Sequence, residues 1–150
     1  MEQQSNEMKN QGEQIMGENI HLLSQLEQAG KLHGHICPSL FYGVSLAMRI
    51  RERMQTGNLA ACEIILEGKS QCIRDGVRSV LGEGVPFAVQ STGRCALTAI
   101  CAGQQRSSLS ISPAVRSRIN EINRSLPLEE FKRVGVAYLK SLSPKELFGE

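Results

Sequence analysis

The chain of 150 residues has the length of one domain, and its 41% hydrophobic and 21% charged residues suit a packed core and exclude a collagen-like or wholly disordered chain. The longest uncharged apolar stretch, residues 36–48, contains Pro38, Gly43 and two serines and falls short of the ~20 apolar residues of a membrane-spanning helix. A net charge of +2, with no Trp, two Tyr and four Phe, offers too few cations and stacking rings for nucleic acid to be an expected partner.

Residues 1–17 are rich in Gln, Glu and Asn and read as a flexible polar tail, with residues 18–150 as a single domain. No basic stretch followed by an apolar one opens the chain, so the cytoplasm is the expected compartment. There Cys37, Cys62, Cys72, Cys95 and Cys101, an odd set without disulfide-scaffold spacing, are expected to stay reduced. Ile20, Leu22, Leu23 and Leu26 form an apolar stripe that predicts a first helix over 18–29, ended by Gly30. Pro38 suits the first position of a second helix with Cys37 as its N-cap, running to about residue 56 and stopped at Gly57. Its face of Leu40, Phe41, Val44, Ala47, Met48 and Met54 exceeds what one small sheet covers, so a homodimer is expected.

Residues 61–66 read as a strand, and residues 70–81 as a helix capped by Ser70 and broken by Gly82, Gly84 and Pro86. Strands over 87–89 and 94–102 read as a hairpin turning at Ser91-Thr92-Gly93, with another short strand over 107–111. Ser112-Pro113 and Leu126-Pro127 open two more helices, and Ser143-Pro144 caps a final turn. The expected fold is α+β, a small mixed or antiparallel sheet flanked by helices.

The chemistry concentrates in His33-Gly34-His35-Ile36-Cys37-Pro38. In an extended segment alternate side chains share a side, so His33, His35 and Cys37 can face one volume. Imidazole and thiolate suit Zn²⁺ and other borderline or soft divalent metals, and a thiol at a helix N-terminus gains thiolate character from the helix dipole. The same feature would activate Cys37 as the nucleophile of a thiol-dependent enzyme or as a redox sensor. Cys72 and Asp75 lie three apart at the start of the 70–81 helix, where Cys72 can supply a fourth ligand and Asp75 can orient a ligating imidazole. Helix N-termini gathered at one place would also favour a small anionic ligand. Cys62, Cys95 and Cys101 read as packing residues and His21 as a surface residue. Arg116, Arg118 and Arg124 read as a solvated helix face, or as the docking face of a protein-interaction module for an acidic partner.

The stretch from His33 to Leu40, with Gly43 following, resembles the HGHxCPGL…G signature of the FmdE family, whose name comes from a component of formylmethanofuran dehydrogenase. Cys72-Ile73-Arg74-Asp75-Gly76-Val77 with Val80-Leu81-Gly82 resembles its CxxDA…LTG block, Thr92–Leu97 its DxGK-x-A strand, and Ser143–Phe148 its closing SPEELF-type turn. The resemblance implies a small α+β domain, often dimeric, that binds a divalent metal through His and Cys, with His33, His35, Cys37, Cys72 and Asp75 as the candidate positions. An association with molybdenum or tungsten enzyme metabolism follows at the same level. Three departures stand out: Ser39 replaces the usual Gly, no CxxC occurs, and the family's cysteine-bearing loop is reduced to residues 81–86. In that shortened loop Glu83 stands near the missing cysteine's place.

Overall fold

The computed structural model describes residues 21–54, 59–101 and 105–150; the polar tail and the stop at Gly57 lie outside them. A first helix, α1, covers residues 21–33, followed by α2 (Pro38–Met54), a 3-10 turn (Leu59–Ala61), β1 (Glu63–Glu67), α3 (Gln71–Leu81), β2 (Ala88–Gln90), β3 (Ala96–Cys101), β4 (Gln105–Ser110), α4 (Pro113–Ser125), α5 (Leu128–Lys140) and α6 (Pro144–Phe148). The fold is α+β, with helices around one four-stranded mixed sheet of order β2-β1-β3-β4. Among the described residues no helix is long and apolar enough to cross a membrane.

Local chemistry explains most boundaries. Ser70 accepts the Ile73 N–H at 3.2 Å and starts α3, while Ser143 and Glu146 form a reciprocal capping box on α6. Two expectations fail. Gly30 does not end α1, because the chain folds back onto it: a Cβ there would lie 2.5 Å from Ile36 Cγ1. Close approach, rather than a cap, is what this glycine serves. The predicted hairpin is also absent. β2 pairs in parallel with β1, with Leu66 opposite Val89, and β3 lies antiparallel on the other side of β1. The Ser91-Thr92-Gly93 turn therefore carries the chain across the end of β1, where Thr92 donates to Glu67 at 3.0 Å.

The core joins Leu40, Val44, Leu46 and Ile50 of α2 to Ile64, Leu66, Val77, Leu97 and Ala99, all of them at most 2% exposed. Burial of each larger aliphatic side chain contributes roughly 1.5–3 kcal/mol. α2 packs against α3, β3, β4 and α5, so its apolar face is covered within one chain and supplies no argument for a dimer. A third correction concerns the thiols, expected to stay reduced. Cys62 and Cys101 form a disulfide: they extend the β1–β3 ladder by one step beyond Glu63 and Ile100, an apposition that their separation of 39 residues does not reveal. Cys37, Cys72 and Cys95 are free thiols.

Candidate metal centre

His33 is the last residue of α1. Gly34 then takes φ +102°, a value that favours glycine, and donates its N–H to Gly30 O at 2.8 Å. This turn sends His35 back beside His33, with ring centroids 4.5 Å apart. Two residues on, Cys37 N-caps α2, its carbonyl accepting the first helical bond from Phe41 at 3.1 Å. Cys72 arrives from the far side, in the first turn of α3.

What aligns the two cysteines is the crossing of α2 and α3 through paired glycines. A Cβ on Gly76 would stand 2.7 Å from Leu40 O and 2.9 Å from Val44 N, and one on Gly43 would run into Ile73 O. With no side chain at either position the helix backbones touch. Their N-terminal turns, bearing Cys37 and Cys72, then lie side by side.

One potential ligand atom each from His33, His35, Cys37 and Cys72 gathers within 4.8 Å. His33 Nε2 lies 3.1 Å from Cys72 Sγ, and His35 Nε2 lies 3.9 Å from the same sulfur. Bonds of ~2.0–2.3 Å to one Zn²⁺ set donors about 3.3–3.8 Å apart, so small side-chain adjustments suffice to hold an ion. Asp75 Oδ2 lies 2.5 Å from His33 Nδ1. The carboxylate accepts the Nδ1 proton, which leaves the Nε2 lone pair facing the cluster. Gln71 donates to the other Asp75 oxygen at 2.7 Å, and Arg78 approaches it at 3.7 Å. Glu83 is not among the clustered donors; it lines a cavity of about 250 Å³ together with His33 and Asp75.

Burial favours the neutral forms of Cys37 and His35 in the metal-free chain. Burial pushes the Cys37 thiol up to about 11, aided by the neighbouring Cys72 and opposed by the backbone N–H groups of Leu40 and Ser39. The expected gain in thiolate character at the helix end is thus outweighed by desolvation in the metal-free chain. That weighs against Cys37 as a free nucleophile and suits a thiol that ionises when a metal replaces its proton. Burial and the adjacent His33 and Lys132 lower the His35 pKa, with Glu129 opposing; the part of α5 in this site carried no mark in the sequence. Elsewhere, Cys95 is buried and His21 exposed, as expected. Arg116 and Arg118 of the basic helix are engaged within the chain, by Gly93 O at 2.8 Å and Glu121 at 3.0 Å.

Among individual curated proteins, none matches the chain significantly. The sequence profile described as FmdE, molybdenum formylmethanofuran dehydrogenase operon, matches residues 32–106, half of the chain. The span takes in the His33–Cys37 segment, the Cys72–Asp75 turn and the first three strands, so the residues that build the cluster lie inside the match, and the chain belongs to the FmdE family.

Proposed function

We propose that this chain is a metal-binding protein that holds one divalent transition metal ion, Zn²⁺ by the character of its donors, through His33, His35, Cys37 and Cys72. The observation that carries the reading is the convergence of these four donors within 4.8 Å, with Asp75 on the far nitrogen of His33. Two imidazoles and two thiolates match the tetrahedral preference of zinc and fill its four positions. A filled sphere favours a structural or regulatory ion over one that activates water, and an accessory protein over a hydrolase. When bound, the ion would supply a positive charge that fixes both thiols as thiolates and ties α1 to the first turns of α2 and α3.

Support for a role beside molybdenum enzymes comes from the family's description alone. A homodimer is part of the same reading, with Leu32, 82% exposed at the end of α1 next to the site, as its apolar contact.

The test is elemental analysis of protein purified without chelator or nickel column. One zinc per chain is expected, falling below about a tenth in Cys37→Ser and Cys72→Ser variants that retain native circular dichroism. Full metal content in both folded variants would remove the cysteines from the site. Substitution of Co²⁺ gives a second readout, since two thiolates add a charge-transfer band and a tetrahedral field gives intense d–d bands, where an octahedral oxygen site shows only weak d–d absorption.

A further inference from the structure

A larger opening than the one beside Glu83 is a different space, formed by the same two helix N-termini. A cleft of about 470 Å³ runs between the starts of α2 and α3, the loop before β3, and α4. That volume falls within the range of small-molecule sites. Its walls include Pro38 and Ser39, which follow Cys37, and Ser70 and Ile73, which flank Cys72, whereas the four clustered donors themselves do not line it.

The lining is one-signed. Lys69, Arg94 and Arg116 contribute three cations, Asn120 and Asn123 two amides, and no Asp or Glu faces the space. Glu67 partly offsets Arg94 at 3.8 Å, and Arg116 spends one N–H on Gly93 O. The remaining guanidinium donors, the Lys69 ammonium and two helix N-termini add to a field suited to about two negative charges.

An independent observation points to an occupant. Tyr42 lines the cleft and is only 6% exposed, yet its hydroxyl is buried with no hydrogen-bond partner among the described residues. A buried unpaired hydroxyl costs roughly 1–3 kcal/mol, so such groups ordinarily find a protein, water or ligand partner. Tyr42 stands in the cleft wall with Cys95 and Arg116, whose charges, together with that of Tyr138, act on the phenol. Phe131 and Ile119 supply an apolar flank for a carbon skeleton.

We infer that this cleft is a binding site for a small organic dianion bearing a phosphate or carboxylate, gripped by Arg116 and Lys69 and hydrogen-bonded by the Tyr42 hydroxyl. It goes beyond the metal-site reading but shares walls with it, because an ion held by Cys37 and Cys72 fixes the two helix starts that form one side of the cleft.

The test uses the purified full-length chain with its metal content measured. Inorganic phosphate and succinate are titrated separately against ¹⁵N-labelled protein at pH 8 and constant ionic strength, with chloride as control. The expected result is saturable shifts at Ser39, Ser70, Gly93, Arg94 and Asn120 with one of the two anions; which anion saturates assigns the headgroup. Tyr42→Phe should weaken that binding about fivefold and Arg116→Gln at least about tenfold, both with unchanged metal content. Should Arg116→Gln misfold, Tyr42→Phe still decides. The site is refuted by absence of saturation with both anions, by shifts spread over other basic surfaces, or by undiminished affinity in Tyr42→Phe. Loss of metal with anion binding intact would instead count against the metal reading alone.

Discussion

Asp75 does more at this centre than its position in a helix first turn requires. It accepts the Nδ1 proton of His33 and is itself held by Gln71, which restricts its rotation. Asp75→Asn keeps the volume but removes the charge and offers His33 a donor as readily as an acceptor. Metal affinity is expected to fall about 10–100-fold by competition with a chromophoric chelator, with little change in thermal midpoint of the metal-free chain; unchanged affinity would mean that the tautomer is set elsewhere. Cys37 gives a prediction in pH. Its thiol, raised to about 11 in the metal-free chain, is protonated at pH 7 and must release that proton to ligate. Zinc added in weak buffer should therefore acidify the solution, and apparent affinity should rise with pH by about tenfold per unit for each thiol proton displaced. At this scale the residues were legible and their geometry was not: His33, His35, Cys37 and Cys72 do converge, but His33 closes α1 and Gly34 bends the chain, so the histidines meet through a turn and not through the alternation of an extended segment. Tyr42 passed unnoticed, although a hydroxyl set within the apolar stripe of α2 was the available signal.

At the scale of elements, the crossing of α2 and α3 decides whether the centre exists. Gly76→Ala would gain about 1 kcal/mol of helix propensity, but its methyl would meet Leu40 O at 2.7 Å and Val44 N at 2.9 Å. Backbone atoms cannot rotate away as a side chain can, so the helices must separate, a change that typically costs about 1–3 kcal/mol. The variant should lose net stability in urea and bind zinc more weakly, because Cys37 and Cys72 ride on the two helices being pushed apart. Greater stability with normal metal affinity would show that the contact is not tight. Helix starts were legible because Ser70, Ser143 and three prolines are local signals. The strand order was not: a turn signal at Ser91–Gly93 says that the chain bends there, and gives no information on which neighbour β2 will pair with. The two glycines of the crossing stood inside helical patterns, where sequence alone registers only a propensity cost.

At the scale of the whole molecule, among the described residues the packed core, the Cys62–Cys101 disulfide and the His/Cys cluster each gather segments distant in sequence. Reduction of the disulfide, which spans 39 residues, should lower stability by roughly 4 kcal/mol from loop-closure entropy, while leaving metal content intact, because it joins the opposite end of β1 from the α3 start. Alkali acts differently. Cys95 is pushed up to about 12 by burial and Cys37 to about 11, both above the ordinary 9.0 of an unfolded thiol. Their preference for the protonated fold is complete below pH 9.0 and is lost progressively as pH rises from there to 11–12, so the metal-free chain should show a falling denaturation midpoint across that whole span, less steep in Cys95→Ala. The centre lies at the junction of α1 with everything after it, and α1 is anchored within the described chain by few buried side chains, chiefly Leu26 and Ala29. An ion bound by His33 and Cys72 would therefore act as a clasp on that helix, and its removal should free α1 to open and close independently of the sheet. Backbone amides in residues 26–33 would then exchange with deuterium far faster in chelated protein, while those of β1 and β3 keep their protection, a difference that hydrogen exchange resolved along the chain would display.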